Sequence, residues 1–346
     1  MGANGGIIGI DFFCGAGGLT HGLSKAGIDV VKGIDIDSTV KDTYIGNNPW
    51  AIFLNKDIRN LSSEEVMGGV DIGQKKLLLA GCAPCQPFSS QNRSNGRNTD
   101  QRRSLMMEFA RFVKQLKPEY ILVENVPGFS RDRNHESFIR TIKELGYKFD
   151  ENILNAADYG VPQKRRRYVM LASKTIDIKL PDPEYGFGGK KYRTVKDAIG
   201  KFPKINAGET SMKLKNHTAR KLSKINLDRI SKVPRNGGSR NSFPNRLILK
   251  CHESHSGHSD VYGRMSWDKP APTLTCKCTC LTNGRFGHPE QNRAISLREA
   301  AALQTFPERY IFYGNISNIT KHIGNSVPVL FAEKLGSYII KTENGR

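Results

Sequence analysis

The sequence has 346 residues, 38% of them hydrophobic and 8% aromatic, enough for an ordinary buried core and too much for global disorder. Its apolar runs are too short to span a bilayer. Seven cysteines, an odd number with no charged-then-apolar leader before them, set the expectation of reduced thiols in a cytoplasm. Lys and Arg number 53 against 33 Asp and Glu, and a net charge of +20 favours a polyanionic partner. With no amphipathic anchor in view, nucleic acid is expected rather than a membrane surface.

The first half alternates strand-like and helix-like segments. "GIIGIDFF" (6–13) reads as a buried strand, followed by a glycine-rich turn and a helix opening near Leu19. Further strands are predicted over 29–37, 75–81, 119–126 and 166–173, with helical spacing of apolar residues over 104–116 and 136–146. This alternation predicts an α/β domain. From about residue 174 the composition shifts to Lys, Arg, Asn, Gly, Pro and Ser, which predicts a basic, mainly β or irregular segment. Within it, "KVPRNGGSRNSFPNR" (232–246) has the composition of a flexible loop. Helix signals return at 296–306, where Ser296 and Glu299 have capping-box spacing, and again after Pro328. The expected organisation is a catalytic and cofactor-binding domain over 1–175 and a target-recognition domain over 176–292. A hinge and return segment over 293–322 follows, and 323–346 is expected to complete the first domain.

Four short stretches carry chemistry. In "DFFCGAGGLTHGL" (11–23) the glycines let the backbone turn tightly beside a helix N-terminus. Thr20 stands where a dinucleotide fingerprint needs its last glycine, so a ligand turn and a plain strand–turn–helix corner both stay open. Asp35 and Asp57 fall where later strands end, positions suited to ribose hydroxyls or an adenine amino group. Phe13 offers a ring face. Cys85, in "GCAPCQPFS", sits between Pro84 and Pro87 and precedes Arg93, Arg97, Arg102 and Arg103, against a single Asp100 over 86–104. Nearby positive charge favours the nucleophilic thiolate, whereas Cys14 and Cys82 fit inert packing. Glu124 in "ENV" is expected at the same carboxyl edge as Cys85, as a ring-binding acid or a solvent-facing cap. "QKRRRY" (163–168) reads as a phosphate contact or a solvated face. The alternating Cys276, Cys278 and Cys280 are predicted on one strand face, near Cys251, His252, His255 and His258. Their spacing lacks the two-residue gap of zinc knuckles, so no metal is expected.

In order and spacing, "DFFCGAGG", "GIDID", "KDI", "PCQPFS", "ENVPG", "QKRRRY", "REAAALQTFP" and "IGNSVP" resemble the cytosine-5 DNA methyltransferase family, in its bacterial restriction-modification form. The resemblance implies a doubly wound, mostly parallel sheet of the S-adenosylmethionine-dependent methyltransferase fold, with a smaller target-recognition domain. It implies that Cys85 adds to carbon 6 of a cytosine, that Glu124 engages ring nitrogen 3 and that Asn125 orients the site. Arg165 would hold the base and support Glu124, and Arg167 would be a structural or phosphate partner. S-adenosylmethionine would contact Asp11, Phe13, Gly15, Ala16, Gly17, Gly18 and Leu19, then Asp35 and Ile36, Asp57 and Ile58, and Asn325 or Ser326. The target base must be flipped from double-stranded DNA. Gln86, Ser89, Arg93 and Arg97, on a loop that closes over DNA, would bind it together with Arg235 and Arg240 in the recognition segment. A monomer paired with a cognate restriction endonuclease is expected. Two rivals are a tRNA cytosine-5 methyltransferase of the same superfamily, opposed by the long basic segment, and a silent DNA-binding protein on this scaffold, opposed by the intact motifs.

Overall fold

The hydrophobic run after Gly6 forms β1 (Ile7–Phe12), every residue of which is buried. β-Branched residues on both faces suit a strand covered on both sides. The computed structural model describes residues 6–84, 105–250 and 260–345, in two units. The first unit comprises Met1–Asn155, Arg166–Pro183 and Val327–Arg346. Its other strands are β2 (Asp29–Asp35), β3 (Ile52–Asn55), β4 (Lys76–Gly81), β5 (Tyr120–Asn125), β6 (Lys148–Asn155) and β7 (Arg166–Ser173). They form one sheet in the order β3-β2-β1-β4-β5-β7-β6, parallel throughout except for β7, which runs antiparallel to both its neighbours. Strand order reverses between β1 and β4, so the carboxyl ends of β1, β2, β4 and β5 meet at one edge, beside the place where open α/β sheets bind ligands.

The predicted central strands form within two residues of their expected ends. β3 and β6 escape a sequence reading because they are the sheet's edges. Their residues are only half-buried or exposed, so selection for apolar character is weak. Helices α1 (Gly18–Lys25), α2 (Lys41–Asn47), α3 (Ser63–Met67), α4 (Leu105–Leu116) and α5 (Arg133–Glu144) connect the strands. α4 buries Met106, Phe109, Ala110, Phe112 and Val113 in the main core. Burying each Phe of this set stabilises the fold by about 2–3 kcal/mol.

The C-terminal helix Val329–Asn344 crosses α1 at very close range. A Cβ added to Gly22 would lie 2.3 Å from the Val329 carbonyl oxygen and 2.5 Å from the Ala332 Cβ. Gly336 is similarly tight, 2.8 Å from the Ala26 Cβ. An ion pair from Lys25 to Glu333 at 2.6 Å flanks the crossing.

The second unit comprises Ala156–Arg165 and Glu184–Ser326. Of the β or irregular character expected for 176–292, the described residues are irregular. They hold two short helices, α6 (Val195–Ile199) and α7 (Lys224–Lys232), 3-10 turns and isolated β-bridges such as Thr210↔Thr218. Residues 293–326, read from the sequence largely as a hinge, cluster with this unit. They contain the helices Leu297–Leu303 and Ile316–Asn325. The predicted capping box is formed, with Ser296 Oγ accepting from the Glu299 amide at 3.1 Å and Glu299 Oε2 from the Ser296 amide at 2.7 Å.

Without a sheet, the irregular backbone is satisfied by buried guanidiniums. Arg264, 1% exposed, donates to the carbonyls of Ile230, Val233, His288 and Gln291 at 2.6–3.0 Å. Arg293 is bidentate to Glu299 at 2.7 Å, which holds that carboxyl down at about 2. Each such cation satisfies carbonyls that would otherwise be buried unpaired.

Alanine at position 22 tests the helix crossing. Helix propensity alone makes Gly22→Ala stabilising by up to about 1 kcal/mol. The contact with the Val329 backbone reverses the sign, and urea unfolding is expected to show a net loss of about 1–3 kcal/mol.

Candidate active site

The turn after β1 is built by left-handed backbone. Phe13 has φ 61°, Gly15 52° and Gly17 84°. Glycine adopts this conformation freely, but phenylalanine does so at a conformational cost, a form of strain that clusters at functional sites. Asp35, at the end of β2, braces the turn. Its Oδ2 accepts from the Gly15 amide at 2.8 Å and its Oδ1 from the Asp37 amide at 2.8 Å. Ile36 follows with 63% of its surface exposed, an apolar face at the sheet edge. Asp57 caps the 3-10 turn Ile58–Asn60, and the Arg59 guanidinium beside it holds its carboxyl below the usual range. Ile58 turns its side chain into the core, so any ligand contact it makes is through backbone. Ala16, Gly18 and Leu19 complete the turn and are buried.

Beneath the turn, Asp11 is completely buried. Its Oδ2 accepts from the Thr20 hydroxyl at 2.7 Å, and Thr20 in turn contacts the Tyr44 hydroxyl at 3.1 Å. Oδ1 has no hydrogen-bond partner among the described residues. Burial, together with the Asp35 charge, outweighs the Thr20 bonds and pushes the carboxyl up to about 7. Cys14 fits the packing role expected for it, since burial pushes its thiol well above the ordinary value.

The second cluster lies at the ends of β4 and β5. Gly81 pairs with Val123 in this parallel ladder, so Cys82 lies next to Glu124. Glu124 is 2% exposed. Cys82 Sγ donates to its Oε2 at 2.8 Å, and Arg167 Nε lies 3.0 Å from its Oε1. The arginine contact is a close charge pair without hydrogen-bond alignment, and Oε1 has no hydrogen-bond partner among the described residues. A buried acceptor left in that state costs about 1–3 kcal/mol. Asn125 donates from Nδ2 to the Ala83 carbonyl at 3.4 Å, and the Cys82 amide donates to the Phe12 carbonyl at 3.3 Å. The segment after β4 is thus tied to β1 on one side and β5 on the other. Cys85, Gln86, Ser89, Arg93 and Arg97 lie outside the described residues.

Three expectations change. Arg167, not Arg165, faces Glu124. The point where β7 begins explains it: Arg167 lies within the strand, opposite Leu154 and beside the Asn125–Tyr168 pair of the β5–β7 ladder. Arg165 precedes the strand, belongs to the second unit and is 2% exposed. It donates to the carbonyls of Leu274, Gly324 and Ser326 at 2.9–3.2 Å. Cys82, read as inert packing, touches the buried glutamate. The strand predicted for Cys276, Cys278 and Cys280 is instead a run of turns, with Cys278 bonded to the Thr275 carbonyl. Cys276 is exposed there and Cys278 buried. Cys251, His252, His255 and His258 lie outside the described residues. In the second unit, Asn325 ends the helix Ile316–Asn325 exposed, and the Ser326 hydroxyl donates to the His322 carbonyl at 2.7 Å. Arg235 is exposed and Arg240 half-buried on a 3-10 turn.

A reversed edge hairpin on an otherwise parallel sheet, a strained glycine-rich turn and acidic residues after β2 and β3 define an S-adenosylmethionine-dependent methyltransferase. The chain belongs to the C-5 cytosine-specific DNA methylase family, whose profile matches residues 7–341. It is 42% identical over 343 residues to the Type II methylase M.HgiDII of Herpetosiphon aurantiacus, covering 96% of this chain and 94% of that one. It is 36% identical to the Type II methyltransferase M1.HphI of Haemophilus parahaemolyticus, covering 96% and 86%. A crystal structure of a putative DNA modification methyltransferase encoded within an Escherichia coli prophage superposes with a TM-score of 0.76 at 25% identity, covering 98% and 99% of the two chains. The protein is therefore a DNA (cytosine-5) methyltransferase that uses S-adenosylmethionine. Among the described residues no helix is long and apolar enough to cross a membrane.

The turn fits that cofactor: Asp11 offers a buried unpaired oxygen, Asp35 a carboxylate, and Ile36 an apolar face. The weakened acidity of Asp11 also has a consequence for stability. An unfolded carboxyl ionises near pH 4, so between about pH 4 and about 7 the folded chain holds a proton that the unfolded chain has lost. This group therefore makes stability fall as pH rises through that window and contributes no slope above it, at most about 1.4 kcal/mol per pH unit. Asp11→Asn is expected to remove that component, read as the difference between wild-type and variant urea midpoints from pH 4 to 8.

Proposed function

We propose that Cys85, Glu124, Asn125 and Arg167 carry the chemistry, and that the turn at 11–19 with Asp35, Ile36, Asp57 and Ile58 holds the cofactor. The observation that supports this most is the buried Glu124 at the sheet's carboxyl edge, with one oxygen unpartnered and a guanidinium 3.0 Å away. Such a carboxyl is prepared for a hydrogen-bonding ring rather than for water. Cys85 follows Ala83 by two residues in the sequence, and the Ala83 carbonyl accepts from Asn125.

Carbon 5 of cytosine is too poor a nucleophile to react unaided. The Cys85 thiolate adds to carbon 6, the carbon 5–carbon 6 double bond opens, and its electron pair makes carbon 5 nucleophilic. Glu124 gives a proton to ring nitrogen 3 as the ring takes up the thiolate's electron pair and takes it back when the thiolate leaves, and Arg167 stabilises the carboxylate in between. S-adenosylmethionine, when bound, supplies an electrophilic methyl group. Loss of the carbon 5 proton to a base then re-forms the double bond and expels the Cys85 thiolate, which frees the enzyme. Carbon 6 is shielded within a stacked duplex, so the cytosine must be flipped out, at a cost of about a few kcal/mol.

The irregular, basic second unit suits duplex recognition, with Arg235 and Arg240 directed at DNA together with Gln86, Ser89, Arg93 and Arg97. Asn325 and Ser326 would complete cofactor binding. The relatives, Type II methylases by name, support a host-protection role in which the protein modifies a short site also cut by a cognate endonuclease, and we propose that it acts as a cytoplasmic monomer.

Bisulfite sequencing of plasmid from cells expressing the protein is expected to show fully modified cytosines at one short site. Cys85→Ser should abolish modification while cofactor affinity is kept. Persistence of modification in that variant overturns the assignment. Glu124→Gln should slow turnover by about 100-fold or more. Arg167→Met should slow turnover and also lower the unfolding midpoint, because the buried Glu124 loses its charge partner, whereas Arg165→Met should lower the midpoint because three carbonyls lose their buried donor.

A further inference from the structure

We propose that Cys82 is a positioning residue for Glu124, holding the carboxyl through its thiol so that the free oxygen is the one presented to the substrate ring. The inference rests on the reading of Glu124 as the ring-binding acid. Three observations carry it. Strand register sets Cys82 beside Glu124, because Gly81 pairs with Val123 in the β4–β5 ladder. The thiol donates to Oε2 at 2.8 Å, and it is the hydrogen-bond donor that reaches Glu124 among the described residues. The two oxygens are thereby made unequal: Oε2 is engaged by sulfur, while Oε1 is buried, lacks a hydrogen bond and faces Arg167.

A carboxyl on a two-bond stem turns about its last torsion with little preference, since such sp³–sp² torsions are broad. Arg167 alone, in contact with one oxygen and not aligned as a donor, does not select a rotamer. A second contact on the other oxygen does. Cys82 is itself held, because its amide donates to the Phe12 carbonyl and the next carbonyl, that of Ala83, accepts from Asn125. The thiol that aims Glu124 therefore hangs from the same two strands that carry the cofactor turn and the "ENV" segment. A thiol has one proton to give, which matches one contact to one oxygen.

Packing and donation predict opposite orders for two substitutions. If Cys82 merely fills space, Ala and Ser should behave alike, with Ser the worse because it buries a hydroxyl. If it donates, Ser restores the hydrogen bond and Ala does not. Steady-state methylation of a duplex containing the target site should give a kcat about 5–20-fold lower for Cys82→Ala, with KM for S-adenosylmethionine unchanged and the unfolding midpoint lowered only by the loss of one buried hydrogen bond. Cys82→Ser should recover most of the loss. In a Glu124→Gln background, adding Cys82→Ala should change kcat little, since the partner that it aims is already disabled. A kcat for Cys82→Ala equal to wild type, or a Ser variant no better than the Ala variant, overturns the proposal. Glu124→Gln in the same assay separates the two claims. If it keeps full activity, the reading of Glu124 fails; if it is inactive while Cys82→Ala is unaffected, only the role of Cys82 fails.

Discussion

The structure of the site depends on a single buried carboxyl, that of Glu124, kept at the end of β5 with one oxygen engaged and one not. A protein interior tolerates such a group only where neighbouring charge and donors offset its desolvation. Here a guanidinium from β7 and a thiol from the segment after β4 supply the offset, and the other oxygen has no hydrogen bond among the described residues. The antiparallel insertion of β7 between β5 and β6 is what brings that guanidinium to the edge. A fully parallel sheet would carry the same residue to the opposite end. The reversed strand therefore decides which charge meets Glu124.

The cofactor turn follows the same logic of a local penalty held in place by its surroundings. Phe13 stands in left-handed backbone, and Asp11 lies wholly buried with its carboxyl pushed to about 7. Both are costly in isolation. They persist because Asp35 braces the Gly15 amide, Thr20 reaches down from the first turn of α1, and the close crossing of α1 with the C-terminal helix holds that turn from behind. The final helix of the chain thus bears on the first motif of the sequence through two glycines that allow backbones to approach.

In the second unit, a basic composition serves two separate purposes. Arg165, Arg264, Arg293 and Arg298 are almost fully buried, and their donors satisfy backbone carbonyls of an irregular fold. Arg235, by contrast, is exposed. A count of arginines therefore overstates the surface available to DNA, because part of the positive charge does the work that a sheet ladder does elsewhere.

Much of this was legible without coordinates. The central strands are continuous apolar runs because both faces are covered. The glycines at 15 and 17 and the Ser296–Glu299 cap announce themselves because local backbone geometry demands those residue types at those spacings. What lies beyond local geometry was not. The edge strands β3 and β6 carry no apolar signature, since half of each faces solvent. "QKRRRY" reads as one cationic run, and only the point where β7 begins decides that Arg167 turns to Glu124 while Arg165 enters another unit. Cys82 looked like filler until the β4–β5 register set it beside a carboxyl. Sequence by itself determined the central elements and the class of protein, because those follow from periodicity and from motif chemistry. Only the tertiary structure decided which neighbours each charged group meets, because pairing across strands depends on register between segments far apart in the chain.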